Sequence, residues 1–462
     1  MRREAKSSLG SIPLNCVDKC LIALDRVNEP MLIYGIIDVE GEVDQAKLNQ
    51  AILSAQQDHP VMRTIVRGRY FRLLREMQKD PGKGVLTVAD QAELRDRKQE
   101  DYLSSWMNRP LNLRKELPLR VLLFKKDERK SSLVFTFHHS VADGLRALIF
   151  IRKVIENYNN EPSKNHESSE DIRINRKGDE LLEFARSQRS KVKHYYRKMV
   201  SSLFHRFIIS ALFPPTRVFH DRSGHSRELA FCLRVVQPGE LKQIQSKARA
   251  AKVGLNDIFL AACYDAVEKW NGMHEKASKR IRVMVPVNIS PEGFRYVVSN
   301  HVSWCSFTTT PGDRADSEKL LRKVRADAAN AITNGIAFSL IYFFYFCSRF
   351  PPCVTKEMAR FLMITRTYVD TILITNLGFI WPKSRSGEAA VCNMGNAKIV
   401  NVIGSAPVVT PMGISVATCT YNGNLNISLT YRPALLSKEK ARMFLDLYVE
   451  EIKNYQVGAP TV

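Results

Sequence analysis

Two adjacent histidines, His138 and His139, precede Asp143 and Gly144 at fixed spacing in this 462-residue chain. A neutral imidazole, with an ordinary pKa near 6.5, can take a proton from a hydroxyl, amine or thiol. It can then return that proton to a leaving group. Glycine directly after the aspartate permits close backbone approach or unusual dihedrals. Neighbouring side chains on a strand point to opposite faces, so only one histidine can face a given cavity and the pair cannot share one metal. A lone buried histidine near a strand end is more often structural than catalytic. The full H-H-x-x-x-D-G pattern, however, arises by accident in roughly one chain of this length per thousand.

The elements around the motif place it. Leu133–Phe137 reads as a buried strand that delivers the histidines at its carboxyl end, a favoured position for functional groups in α/β folds. After Gly144 the pattern turns helical, with Leu145, Leu148, Ile149, Val154 and Ile155 on one broad face. Further strands are expected at Met31–Ile37, Leu119–Lys125, Leu229–Val236, Ile281–Val287, Val302–Thr308 and Thr371–Thr375. Val43–Gln57 is expected as a helix, ended by Asp58-His59-Pro60. Another follows at Asn256–Trp270, with Asn256 or Asp257 to cap it. Ile414–Thr420 and Leu425–Tyr431 flank Tyr421-Asn422-Gly423-Asn424, a hairpin signal, and Ser437–Tyr455 closes the chain as a helix. The fold class is α/β (α+β).

Length favours two domains. The polar stretch Asn159–Asp171 supplies the boundary, giving an N-terminal subdomain at 12–165, a basic helical linker at 166–225 and a C-terminal subdomain at 226–460. Leu181–Leu212 lacks Gly and Pro and is expected to be mainly helical. It carries Arg186, Arg189, Lys191, Lys193, Arg197, Lys198 and Arg206, and no acidic residue lies between Glu183 and Asp221. Such a helix either lies on an anionic membrane surface or packs on its own protein with a solvated basic face.

The formal net charge is +22, with 45% hydrophobic and 25% charged residues. The composition excludes wholesale disorder. The charge attracts something anionic: nucleic acid, an acidic membrane, an acidic carrier protein or a phosphate-rich cofactor. No nucleic-acid-binding motif accompanies it, so no specific nucleic acid is expected. The nine cysteines show no CxxC pair and read as reduced core thiols without a metal site. The N-terminus lacks the apolar stretch of a signal peptide, and the apolar run Ile336–Cys347 is too short to span a bilayer. A cytoplasmic protein that can touch a membrane peripherally is expected.

At this point the chain resembles the chloramphenicol acetyltransferase-like superfamily. That group includes nonribosomal peptide condensation domains, plant-type alcohol acyltransferases and wax ester synthase/diacylglycerol acyltransferases. His138–Gly144 matches its HHxxxDG motif. Asp58-His59-Pro60-Val61-Met62-Arg63 is similar to the end of its first helix. Arg109-Pro110-Leu111 and Leu117-Pro118-Leu119-Arg120 are similar to the stretch before the motif strand. Leu255–Ala262 is close to a wax ester synthase segment. Val285-Pro286-Val287-Asn288 with Ser299-Asn300, and Thr375-Asn376-Leu377-Gly378, follow in the family's order. The DFGWG segment of the plant branch is absent.

The resemblance implies two subdomains, each a mixed sheet with flanking helices, with a tunnel between them. It implies His139 as general base, His138 as a packing neighbour, Asp143 as a structural residue in an arginine salt bridge, and Gly144 keeping the tunnel floor open. Where many relatives carry that arginine, this chain has Ser290; Arg282, Arg295 or Arg63 are the substitutes to consider. An oxyanion needs donors where charge develops, and Asn300, Ser303 and Asn376 are the candidates.

The expected reaction is acyl transfer from a thioester, acyl-CoA foremost, to a hydroxyl acceptor without a covalent enzyme intermediate. No cofactor is expected to be tightly bound, acyl-CoA serving as co-substrate. Leu203–Phe213 and Phe338–Phe350, either core or the border of a lipid route, tilt the acyl group toward fatty acyl, in the manner of wax ester synthases. The alternative is amide or ester formation from a carrier-protein thioester, as in condensation domains, with an acyl-carrier protein as partner and an amine or alcohol as acceptor. No carrier segment lies within the chain, so that carrier would be a separate protein. A non-catalytic binding module is the third reading, and the intact motif argues against it.

Overall fold

The computed structural model describes residues 10–26, 29–68, 73–79, 84–94, 99–160, 180–190, 192, 194–291, 294, 297–364, 370–381, 393–410 and 412–455. The strands in chain order are β1 (Ser11–Pro13), β2 (Leu32–Glu40), β3 (Thr64–Arg67), β4 (Leu74–Met77), β5 (Leu86–Asp90), β6 (Leu119–Lys125), β7 (Lys130–His138) and β8 (Ala230–Val236). They continue with β9 (Ile281–Asn288), β10 (Val302–Thr309), β11 (Ile372–Phe379), β12 (Asn393–Met394), β13 (Ala397–Gly404), β14 (Ile414–Tyr421) and β15 (Asn424–Tyr431).

Two six-stranded sheets dominate. The first runs β12-β13-β2-β7-β6-β5 and the second β10-β9-β11-β14-β15-β8; β1-β4-β3 form a small third sheet. Both large sheets are mixed: β5 is parallel to β6, and β11 is parallel to both β9 and β14. The motif strand β7 is central, paired antiparallel with β2 and β6. Its faces part as period-2 geometry requires. Leu133, Phe135 and Phe137 join the core under the helix Gly144–Tyr158, whereas Val134 joins Leu122, Phe124 and Tyr34 on the other side. Coverage on both faces explains a run of Leu, Val, Phe and Thr without polar alternation.

The expected C-terminal subdomain at 226–460 does not keep to one sheet, because β12 and β13 belong to the first. The chain returns to the first sheet at β13, where Ile403 pairs with Ile36 and Gly404 with Gly35. The boundary at 165 itself lies outside the described residues. The basic segment is not one continuous helix either. It forms Glu180–Ser187, a 3-10 turn at Gln188–Ser190, and a second helix from Tyr195. His194 breaks it in a left-handed conformation, φ 56°. The helix Leu255–Gly272 is capped by Gly254, not by Asn256 or Asp257: Asp257 Oδ2 instead accepts from the Gly254 N–H at 2.9 Å. Asn422 (φ 48°) and Gly423 (φ 78°) both adopt positive φ between β14 and β15, as a type I′ hairpin demands.

Among the described residues eight cysteines are free, and all but Cys353 are buried; Cys392 lies outside them. No single described helix is long and apolar enough to cross a membrane.

Candidate active site

His139 follows the last residue of β7. Its backbone N–H donates to Met31 O at 2.7 Å, and its carbonyl accepts from Asn300 Nδ2 at 2.7 Å. The ring Nδ1 is 3.1 Å from Ala142 O. A carbonyl only accepts, so Nδ1 carries the hydrogen and Nε2 keeps its lone pair. The side chain is partly exposed, yet enough protein surrounds it that burial lowers its pKa below the ordinary histidine value. The result is a neutral, oriented imidazole with its basic nitrogen unspent.

His138 is buried. Its Nδ1 accepts from the Ser140 N–H at 3.1 Å and lies 2.9 Å from the Ser140 hydroxyl. Its Nε2 is 3.9 Å from Asp25 Oδ2. Asp25 in turn pairs with Arg227 at 3.1 Å.

Asp143 caps the helix Gly144–Tyr158. Oδ1 accepts from the Arg146 N–H at 3.0 Å and Oδ2 from the His301 N–H at 3.1 Å. This buried carboxylate therefore joins the motif turn to the segment before β10 in the second half. Its nearby cation is Arg146, whose pKa burial lowers and the Asp143 charge raises. Of the three expected partners, Arg282 and Arg63 are placed by the structure. Arg282 is buried against Asp370 instead; Arg63 is not among the partners of Asp143, and Arg295 lies outside the described residues. The Arg146 guanidinium donates to the hydroxyl of Ser290, the position where many relatives supply the arginine. His301, fully buried, has its pKa pushed down to about 3 by burial and by the Arg146 charge.

Gly144 stands at a close approach between the halves. A Cβ there would come within 2.8 Å of Leu377 Cδ2. Leu377 belongs to the bulge where β11 loses register against β14, between Asn376 and Phe379, with Gly378 at φ 73°. Bulges commonly re-aim a strand beside a site; here one presses the second half against the motif helix.

The three donor candidates are spread. Asn300 supports the His139 carbonyl. Ser303 spends its hydroxyl proton on Ala337 O at 2.5 Å. Asn376 Nδ2 donates to Asn256 Oδ1 at 2.6 Å. Asn300 and Asn376 each retain a second amide hydrogen, whereas Ser303 has none left.

Sequence reasoning missed the N-terminal clasp. Asn15 and Asp18 cap the helix Cys16–Arg26 reciprocally, at 3.1 and 2.9 Å. Asn15 Nδ2 also donates to Asn300 O at 3.2 Å. Asp18 pairs with Arg75 at 2.8 Å, both buried, and Arg75 also donates to Ser140 O. The N-x-x-D spacing was a legible capping signal; nothing local marks Arg75.

The condensation-domain family model matches residues 29–335. The chain belongs to the condensation-domain family. This condensation domain is thus a chloramphenicol acetyltransferase-like acyl-transfer enzyme built from two mixed sheets with flanking helices. It is similar in structure to the first condensation domain of the calcium-dependent antibiotic synthetase, solved with a substrate analogue. That match has TM-score 0.68 and 14% identity, covering 99% of this chain and 98% of the other. Another similar structure is SgcC5 from Streptomyces globisporus, with TM-score 0.63, 18% identity and coverages of 96% and 98%. A third is the starter condensation domain of rhizomide synthetase, an RzmA mutant in complex with C8-CoA, with TM-score 0.66, 11% identity and coverages of 97% and 96%. No curated protein sequence matches the chain significantly.

Proposed function

We propose that this condensation domain transfers an acyl group from acyl-CoA to a hydroxyl acceptor, with His139 as general base. The carrying observation is the His139 ring: Nδ1 is tied to Ala142 O and Nε2 is left to accept a proton. His139 Nε2 removes the acceptor's hydroxyl proton as its oxygen attacks the thioester carbonyl. The tetrahedral oxyanion takes a hydrogen bond from the remaining amide hydrogen of Asn300 or Asn376. Its collapse breaks the carbon–sulfur bond, and the imidazolium returns the proton to the departing sulfur. The products are the ester and free thiol. Asp143 and Gly144 hold the turn and leave the proton alone.

Two features favour CoA as donor. A cavity of about 1060 Å³ is lined by Arg217, Arg222 and Lys276, together with Arg227, paired to Asp25, and Arg432, paired to Glu29, and a cationic lining suits phosphates. Arg227 reaches the motif strand through Asp25 and His138. The similar starter domain was solved in complex with C8-CoA, which fits the fatty-acyl preference drawn from the aromatic segments. The second reading, a carrier-protein thioester with an amine or alcohol acceptor, is favoured by family membership and by the +22 charge.

The test pairs acyl-CoAs of graded length and acyl-loaded carrier proteins with alcohol and amine panels, reading thiol release. Wild type should turn over acyl-CoA with an alcohol, and His139→Ala should lose at least about a hundredfold. Equal thiol release in both proteins would defeat the catalytic assignment. Turnover from carrier thioesters alone would replace the first reading with the second.

A further inference from the structure

The helix that starts at Tyr195 has an inner face that is accounted for. Tyr195 is buried and donates its hydroxyl to Ala185 O at 2.8 Å. Lys198 Nζ donates to Asn334 Oδ1 at 2.6 Å, and Ser202 meets Ser339 at 3.4 Å. These contacts seat the helix on Glu180–Ser187, on Asn334 and on the helix Ile336–Ser348.

Its outer face is not accounted for. Tyr196, Val200, Phe204, Ile208 and Leu212 recur at four-residue intervals, and each is between 46% and 66% exposed; Phe213 is 56% exposed. In an α-helix each four-residue step overshoots a full turn by about 40°, so such a row would wind away from a flat surface. Here His205–Ile209 is π-helical. Its wider turn lags and counters the drift where the row would leave its face. Monomer surfaces seldom display a contiguous apolar row of this extent without a partner.

The surrounding charge selects the partner. No Asp or Glu occurs from 184 to 220. Arg186, Arg189 and Arg197 are exposed, and Arg197 has no ion pair among the described residues. The Arg280 guanidinium lies 5.7 Å from the Phe213 ring centroid. Beneath the same helix is a cavity of about 620 Å³, lined among others by Arg197, Lys198, His205 and Arg282. A helix with an exposed apolar row and cationic flanks has the chemistry of an interfacial element. Nucleic acid would match the charge and leave the apolar row in water.

We propose that this helix docks the protein on an anionic phospholipid surface: the Tyr196–Leu212 row enters the headgroup boundary, and the exposed Arg197 beside it faces lipid phosphates. The surface would stand whether the acyl donor is CoA or a carrier protein.

The test is flotation of the purified full chain with phosphatidylcholine vesicles, with and without about 30% phosphatidylserine. Binding is expected to the anionic vesicles, released by about 0.5 M salt. Val200→Ser/Phe204→Ser/Leu212→Ser should weaken partitioning at least about tenfold, with the unfolding midpoint unchanged because all three side chains face solvent. A single Phe204→Trp reporter, read as its difference from wild type, should shift its emission to the blue on anionic vesicles and be quenched by brominated lipid. No flotation with anionic vesicles, partitioning of the triple variant within twofold of wild type, or unmoved emission from the Phe204→Trp reporter would each overturn the proposal. Vesicle binding needs no turnover, so it fails or holds independently of the acyl-transfer assay.

Discussion

Replacing Gly144 with alanine tests how tightly the two halves close on the motif. Gly144 does not adopt positive φ, so the alanine backbone is permitted. Helix propensity even favours alanine, by up to about 1 kcal/mol. The objection is steric: the new Cβ would sit 2.8 Å from Leu377 Cδ2, about 1 Å inside ordinary carbon–carbon contact. Leu377 has little room to retreat, because its other methyl is already packed against Gly404. Overpacking of this kind costs about 1–3 kcal/mol; from the middle of that range, about 2 kcal/mol, the propensity gain leaves a net loss of about 1 kcal/mol. Urea unfolding should show it as a lower midpoint at unchanged slope. If the bulge at Asn376–Gly378 is pushed off by the same contact, kcat/KM should fall about tenfold or more, the equivalent of about 1.4 kcal/mol. Leu377→Ala removes the opposing methyl, so the double variant should recover at least about 1 kcal/mol relative to the sum of the single changes. A Gly144→Ala protein as stable as wild type, or additive single effects, would refute the close-approach argument.

Two further outcomes follow from the site. Burial lowers the His139 pKa, so protonation of the base needs a pH below the ordinary value near 6.5. The acid limb of kcat/KM against pH should therefore have its midpoint below 6.5, activity being full above it; a midpoint at or above 6.5 would contradict the assignment. Asp143→Ala removes the acceptor for the Arg146 and His301 amides and the negative charge that acts on Arg146. A loss of about 3–5 kcal/mol is expected in urea unfolding, and Asp143→Asn should recover part of it by keeping the cap; equal losses would show that the charge, not the cap, matters.

Much of this was legible beforehand because the relevant signals are local. The motif strand, the turn and its helix lie within one stretch of chain. The Asn422-Gly423 hairpin declares itself by the two residues able to take positive φ. What was hidden depends on distance along the chain. The cation beside Asp143 was sought at Arg282, Arg295 or Arg63; Arg146, only three residues on, is close enough to feel the Asp143 charge, and Ser290 accepts from its guanidinium. The pairing of β13 with β2 joins positions more than three hundred residues apart, and the short Asn393–Gly404 segment with its turn residues does not announce a strand. The break at His194 lacks the glycine or proline that would have marked it. Ile336–Ser348 is apolar on nearly every side, so periodicity could not separate helix from strand there.

The late return of β13 has a consequence for dissecting the molecule. A fragment ending near residue 160 would lack that strand and leave the backbone of β2 open from Gly35 to Glu40, an invitation to intermolecular pairing. Pieces cut at the middle of the chain should therefore aggregate or stay unfolded when made singly, and be rescued when the two are produced together. Interchange of the halves between relatives would have to carry β12 and β13 with the N-terminal piece.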